Sequence, residues 1–366
     1  MAKIVVFGAT GYTGRLTAEA LVARGVSPVL AGRNGPALEK LAADLGGART
    51  AVADVADPAS VRALLGPGDV LISTVGPFLR HGGPALAAAI DAGAHYLDST
   101  GEGPFIRTVF EHDDRARAAG SALLTAFGFD YVPGNLAGAL ALAAAPGAAR
   151  VDIGYFADNP RTSGGTRASI AGMLFEPSFA LRDGRIVTER AGARLHSFDV
   201  AGAARTGVSI PGSEQLALTR SYPGVREVGV YLGLPTPIAQ GLRAGSGFTA
   251  AVGKVPALKR GLDSVLTRAV QGSTGGPGAE SRERTRTWAV AEARDANGKT
   301  SATVTLAGGD PYDFTAAILA WGAHTALEGG LRGTGALGPV DAFGLAELDA
   351  AVTAAGWSRY PADSAR

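Results

Sequence analysis

The sequence contains no cysteine, which excludes disulfides, thiolate nucleophiles and thiolate-held metals. It is also poor in charge. Only 18% of residues are charged and the net charge is +1, while 46% are hydrophobic, so the chain folds rather than behaving as a disordered polyelectrolyte. No Lys/Arg cluster resembles the footprint of a phosphate backbone, so nucleic acid is not an expected partner. A long apolar run is missing too. The longest stretch, 136–145, is too short to cross a bilayer and ends at Pro146-Gly147, so no transmembrane segment is expected. The opening MAKIVVFGAT enters a strand at once with no apolar leader ahead of it, and the expected location is cytoplasmic. His81, His95, His112, His196 and His324 show no ligand spacing, and there is no HExxH pattern; no metal is expected. No GxSxG elbow occurs.

What is present reads as two domains, the number a chain of 366 residues suggests. Short apolar runs at 4–7, 28–31, 50–53, 70–74, 95–97 and 122–127 alternate with helical stretches at 13–24, 37–45, after Asp57-Pro58, 83–92 and 105–118. Such alternation predicts an α/β fold, a doubly wound parallel sheet of Rossmann type. After Gly134 the character changes. Strands are expected at 151–156, 185–190 and 226–232, and a hairpin over 284–294 and 300–306 turns at Asp295-Ala296-Asn297-Gly298. A Gly/Ser-rich loop is expected over 271–279, and helices over 167–174, 312–327 and 345–355. The expected organisation is a nucleotide-binding domain over 1–133, a substrate domain over 134–310, and a helical segment over 311–366 that returns to the first domain through its apolar face.

The turn Gly8-Ala9-Thr10-Gly11-Tyr12-Thr13-Gly14 lies directly between the first strand and the first helix. Gly8 suits the tight turn, Gly11 leaves room for a pyrophosphate, and Gly14 lets the helix approach the sheet. With Thr10, Tyr12 and Thr13 they form the expected dinucleotide cradle, since a helix start offers free N–H groups to phosphates. A glycine-rich turn in a non-binding domain is the bland alternative, and the strand-turn-helix context argues against it. Strand two ends at Arg33-Asn34, with Arg33 lying 19 residues after Gly14. A carboxylate at this point would accept from a ribose 2′-OH and repel a 2′-phosphate; a guanidinium pairs with the phosphate. The expected cofactor is therefore NADP(H). Asn34 either adds a phosphate contact or caps the next helix. Asp54 either meets the adenine amino group or serves its own loop. Thr74, Val75, Gly76 and Pro77 end strand four at the edge that faces the nicotinamide.

Two further loops reach that edge, Tyr96-Leu97-Asp98-Ser99-Thr100-Gly101-Glu102 and Gly128-Phe129-Asp130-Tyr131. Tyr131 is the first candidate for proton donor, because its phenol can extend past the cofactor edge. Asp130 and Tyr96 come next, with Asp98 and Glu102 as further polar groups. The competing roles are capping for the carboxylates and packing for the tyrosines. Ser163-Gly164-Gly165-Thr166 reads as a helix start that either holds an anion or merely caps.

The motifs GATGYTGRL (8–16), AGRN (31–34), STVGPF (73–78), HYLDSTGE (95–102), GFDYVPGNLA (128–137) and SGGTRAS (163–169) together resemble the saccharopine dehydrogenase-like oxidoreductases. The resemblance is strongest to their bacterial branch of trans-acting enoyl reductases, and the 276–284 segment and the helix from Tyr312 extend it. The chain departs from the family where it has Tyr-Val-Pro-Gly-Asn at 131–135. The resemblance implies a Rossmann domain, an inserted α/β substrate domain, C-terminal helices packed on the first domain, and hydride transfer from NADPH. The expected acceptor is a polarised C=C or C=N bond in a small-molecule or carrier-linked substrate, with a homodimer left open. An imine with several carboxylates needs clustered arginines, for which Arg161, Arg167 and Arg182 are the candidates. An enoyl substrate needs an apolar wall, for which Met173, Leu174, Phe175 and Phe179 are available. The alternative function is a non-catalytic NADP(H) sensor or partner-binding protein, against which the second domain argues, since closing over a substrate needs a second wall.

Overall fold

A computed structural model describes residues 2–173, 176–253 and 275–360. The expected positions Leu174 and Phe175, and 271–274 of the Gly/Ser-rich loop, lie outside the described residues. Ile4–Phe7 (β1), Val29–Gly32 (β2) and Val70–Ser73 (β4) are buried at every position. That is why these strands read as unbroken apolar runs: helices cover both faces of the sheet. With Arg49–Val52 (β3), His95–Asp98 (β5) and Ala122–Leu124 (β6) they pair in parallel, in the order β6-β5-β4-β1-β2-β3. A two-residue strand from the C-terminal segment, Gly335–Ala336, pairs outside β6 and makes the seventh strand of this Rossmann sheet. The order reverses at β1, which has β2 on one side and β4 on the other. The ligand crevice of such a sheet lies outside the carboxyl ends of those strands.

The helices follow in turn: α1 (Tyr12–Ala23), α2 (Gly35–Asp44), α3 (Pro58–Arg62), α4 (Phe78–Ala92), α5 (Gly103–Glu111), α6 (Asp113–Ala119) and α7 (Val132–Ala144). One helix was expected over 105–118, but the structure has two, broken at His112. There the ring Nδ1 meets the Thr108 carbonyl at 2.8 Å while the backbone leaves helical geometry.

The second domain is a mixed sheet. Its strands are Arg150–Asp158 (β7), Ser178–Arg182 (β8), Arg185–Glu189 (β9), Leu195–Val200 (β10), Ala203–Ser209 (β11), Glu227–Gly233 (β12), Arg286–Arg294 (β13) and Thr300–Gly308 (β14). The order is β10-β11-β12-β7-β13-β14, with Ser358–Arg359 beyond β14 and the β8–β9 hairpin attached to β12. Only β12 and β7 run parallel; the other pairs are antiparallel. β8, β10 and β11 were not expected. Ala203-Ala204-Arg205-Thr206-Gly207 has no alternating apolar residue to mark a strand, and its pairing with β10 and β12 supplies the stability its side chains do not.

α7 is apolar all round and buried along Val132 to Leu142, because it is clasped between the second sheet and the C-terminal helices. The Pro311–Leu327 helix runs along α1 and crosses β4 and β5; at Gly322 it approaches Phe127 so closely that a Cβ would collide with the ring. One apolar core therefore joins Leu21 of α1, Leu136 of α7, Ile153 of β7 and Ile318 of the C-terminal helix. Deleting residues 312–366 removes the partner of α1 and the strand beside β6. The truncated protein should lose cooperative thermal unfolding, as read by calorimetry; unchanged thermal stability would contradict this packing.

Candidate functional site

The glycine turn is built as a cradle. Gly8 has φ +89°, and its N–H and that of Ala9 both donate to the Ala31 carbonyl, at 2.9 and 3.1 Å. A Cβ on Gly14 would collide with the Gly8 carbonyl, whereas one on Gly11 would meet only that carbonyl oxygen, at 3.2 Å. Gly11 is the N-cap of α1, so the amides of Tyr12 and Thr13 have no acceptor within the helix. Thr10 is exposed beside them. Thr74 does not reach outward: its hydroxyl lies 3.1 and 3.2 Å from the Phe7 and Gly8 carbonyls, donates to one of them at a time and braces the turn from beneath, with Val75 packed against Gly8.

At the other end of the crevice Arg33 is exposed, and among the described residues it has no ion-pair partner. A guanidinium left unpaired at the end of β2 fits a 2′-phosphate. Asn34 caps α2, accepting from Ala37 at 3.1 Å. Asp54 turns one oxygen to its own loop, accepting from Ala56 at 2.9 Å. Val52, paired with Gly32, is 63% exposed. This apolar platform beside Arg33 went unremarked in the sequence, where it looks like any other strand residue.

The β4–β5 side of the crevice is organised by Glu102. It is buried, accepts from the Phe78 and Leu79 amides at 2.8 and 2.9 Å, and accepts from the Ser169 hydroxyl at 2.6 Å. The first two bonds cap α4 at Pro77, where the carboxylate also meets the positive end of the helix. The third ties in α8 (Gly164–Met173) from the second domain. Ser169 thereby lies against Gly76, and α8 borders the crevice. The Gly76-Pro77 and Asp130-Tyr131 peptides are both cis. At the start of α8, Ser163 acts as a cap rather than an open anion site. Its hydroxyl accepts from Thr166, its amide donates to the Tyr312 hydroxyl at 2.7 Å, and the Gly164 amide donates to Gly275. Tyr12 joins this junction: its ring packs edge-on against Tyr312, and its hydroxyl donates to the Pro277 carbonyl at 2.5 Å.

The structure separates the acid candidates. Tyr96 lies wholly inside the core with Leu71, Leu86 and Phe105, so it does not face the crevice. Its hydroxyl is near Asp98 and Ser73 but forms no hydrogen bond, and burial raises its pKa well above the ordinary tyrosine value. Asp98 is fully buried and accepts from Thr100, Ala126 and the Thr125 hydroxyl at 2.8–3.0 Å; burial pushes it up to about 6. It serves to hold the β5 and β6 loops together. Tyr131, the first candidate, is buried as well. Its hydroxyl donates to the Pro211 carbonyl at 3.0 Å and approaches that of Gly101 at 3.4 Å, because the second domain closes over it. Asp130 is different. Water reaches it, yet protein surrounds it at longer range, so that loss of solvation pushes its carboxyl up to about 6. It has no hydrogen-bond or ion-pair partner among the described residues, and it lies against Gly101, next to Glu102.

Behind Asp130 lies a polar cluster that the sequence did not disclose. The Tyr155 hydroxyl on β7 is 2.6 Å from Glu214, 3.2 Å from the Tyr131 carbonyl, and accepts from the Gly134 amide at 3.0 Å. Glu214 is fully buried and pushed up to about 8 by that burial. No local signal in Gly212-Ser213-Glu214-Gln215 separates it from an exposed first-turn glutamate.

Residues 4–124 match the family described as the saccharopine dehydrogenase NADP binding domain. The crevice accords with that: NADP(H) is the cofactor of this domain. The chain is 40% identical over 140 residues to the trans-acting enoyl reductase of Mycobacterium leprae (strain TN), a match covering 36% of this chain and 34% of that one. It is 36% identical over 141 residues to the protein of the same name from Mycobacterium ulcerans (strain Agy99), covering 37% and 34%. The chain thus spans about a third of the length of the curated relatives it matches. Over the whole chain the fold is that of apo histidine-tagged saccharopine dehydrogenase (L-Glu forming) from Saccharomyces cerevisiae, with a TM-score of 0.60 and 15% identity, covering 99% of this chain and 100% of the other.

Two substitutions separate binding from folding. Gly11→Val should leave the fold intact and abolish NADPH binding measured by cofactor fluorescence, whereas Gly14→Ala should lower stability by about 1–3 kcal/mol through the clash with Gly8. Arg33→Asp should remove the preference for NADPH over NADH; equal affinities in the unaltered protein would refute the role given to Arg33.

Proposed function

We propose that the chain is an NADPH-dependent reductase of an enoyl-type C=C bond, in which Asp130 donates the proton. The observation that carries this reading is the position of Asp130: a water-accessible carboxyl at the head of α7, unpaired among the described residues, beside the loop that flanks the nicotinamide side of the crevice. Bound NADPH supplies the hydride. Hydride addition to one carbon of a polarised double bond builds negative charge on the carbonyl side, and a carboxylic acid there protonates the other carbon. Loss of solvation helps by keeping the proton on Asp130 to higher pH than on an ordinary aspartate. Tyr131, Pro211 and Gly101 form the wall that holds Asp130 in place, and Glu102 with Ser169 holds the opposite lip.

An apolar acceptor suits this lip better than a polycarboxylate imine. Leu79 and Ile170 are exposed, at 38% and 55%, on either side of the Glu102–Ser169 bond. Of the arginines considered for substrate carboxylates, Arg182 is engaged by Glu227 at 2.7 Å and by Glu189. Arg167 donates to the Thr162 carbonyl. Arg161 has no ion-pair partner among the described residues, and one cation is not a cluster. The relatives named trans-acting enoyl reductase support the same acceptor class, and the trans action in their name supports a carrier-linked substrate.

The test is NADPH oxidation with short enoyl thioesters, set against cyclic imines and keto-acid/amine pairs. Enoyl thioesters should be reduced and the imines not; the opposite pattern would remove the C=C assignment. Asp130→Asn should lower turnover by roughly 10²–10⁴ with NADPH affinity nearly unchanged, whereas Tyr131→Phe should stay within about ten-fold of the unaltered protein. Because the acid must be protonated, kcat/KM should fall as pH rises through the Asp130 value of about 6, and Asp130→Asn should lose that limb.

A further inference from the structure

Glu214 is the first residue of the Glu214–Ser221 helix, yet it points inward and is fully buried. One carboxyl oxygen meets the Tyr155 hydroxyl at 2.6 Å; the other has no hydrogen-bond partner. The titratable groups that face it are Tyr155 on β7 and Asp130 with Tyr131 at the head of α7, and no cation is among them. From its own helix and the preceding loop come only the Ser213 hydroxyl, which accepts from the Asn135 side chain, and the Gln215 side chain, which accepts from the Gly212 amide. The space is made by glycine: a Cβ on Gly134 would collide with both the Tyr155 hydroxyl and Glu214, and one on Gly212 would collide with Glu214. A buried carboxylate with one donor and no counter-charge is costly, so the folded protein holds it protonated.

The Tyr155 hydroxyl carries one proton and has two acceptors in reach, Glu214 and the Tyr131 carbonyl at 3.2 Å. It can donate to only one at a time. We propose that Glu214 is a positioning residue for Asp130, acting through Tyr155. While Glu214 keeps its proton, it donates to Tyr155, and Tyr155 donates to the Tyr131 carbonyl and secures the Asp130-Tyr131 turn. When Glu214 loses that proton to solvent, the carboxylate takes the Tyr155 hydrogen bond, the turn loses one donor, and a negative charge appears behind Asp130. This deepens the reading in which Asp130 is the proton donor and rests on it.

The test reads Asp130 directly, without turnover. In NADPH-loaded protein labelled with carbon-13 at the aspartate side-chain carboxyl, the Asp130 signal (assigned with Asp130→Asn) should titrate in two steps. The larger falls near about 6, its own ionisation, and a smaller one near about 8 reports Glu214. Glu214→Gln, which keeps the shape but cannot ionise, should abolish the second step and leave the first. Tyr155→Phe, which keeps Glu214 but removes the hydroxyl, should shrink the second step several-fold. A single step in the unaltered protein, or a second step that survives Glu214→Gln, overturns the proposal. Should Glu214→Gln fail to fold, an undiminished second step in Tyr155→Phe overturns it equally. Full reductase activity in Asp130→Asn would remove the donor assignment without altering these titrations, so the two failures are distinguishable.

Discussion

The arrangement depends on one buried carboxylate. Glu102 takes three hydrogen bonds, two from the amides that open α4 and one from Ser169 of α8. Each partner needs it. The α4 amides have no acceptor within their own helix, and a buried carboxyl group needs hydrogen-bond donors to offset its lost hydration. Because the three partners come from different parts of the chain, satisfying Glu102 also places the parts. It draws the Gly76-Pro77 loop against β5, lays α8 of the second domain along the sheet edge, and leaves neighbouring Gly101 in contact with Asp130. Charge-assisted bonds of this kind are short and directional, so they set position as well as energy.

Four carboxyls lie within this one region and fall into three environments, set by how many donors reach each. Glu102 and Asp98 have three each, and act as clamps between loops. Glu214 has one, and burial holds its proton on. Asp130 has none among the described residues and faces water. Chemically similar groups are thus separated in role by environment alone, as in other sites where two carboxyls share a cleft.

The first domain was legible because its signals are local. Four-residue apolar runs separated by helix-length segments specify a parallel sheet almost without reference to the rest of the chain. Gly8, Gly11 and Gly14 stand where backbone geometry leaves little choice, and an arginine in place of a carboxylate after β2 is a one-residue statement about the nucleotide. The second domain was legible only in part. The β13–β14 hairpin announces itself by its turn residues. β8, β10 and β11 do not, since their apolar residues follow no regular alternation and their stability comes from pairing with neighbouring strands.

The candidate site divides the same way. Its location at the carboxyl edge of the first sheet followed from the motifs, as did the shortlist of Tyr131, Asp130 and Tyr96. Which of these meets water did not follow, because that depends on what closes over them. Pro211 and Tyr155 come from the second domain and turn Tyr131 into a wall, and Leu86 of α4 and Phe105 of α5 enclose Tyr96 in the core. Glu214 was invisible for the same reason: an acid at the first turn of a helix is ordinary in sequence, and only the packing of its helix against α7 and β12 encloses it. The sequence by itself determined the glycine turn between β1 and α1, the doubly wound sheet and NADP(H) as the cofactor, all of which are short-range consequences of glycine, periodicity and charge. The tertiary structure alone decided solvation, hydrogen-bond partners and hence proton affinity, because these are properties of surroundings assembled from residues far apart in the chain.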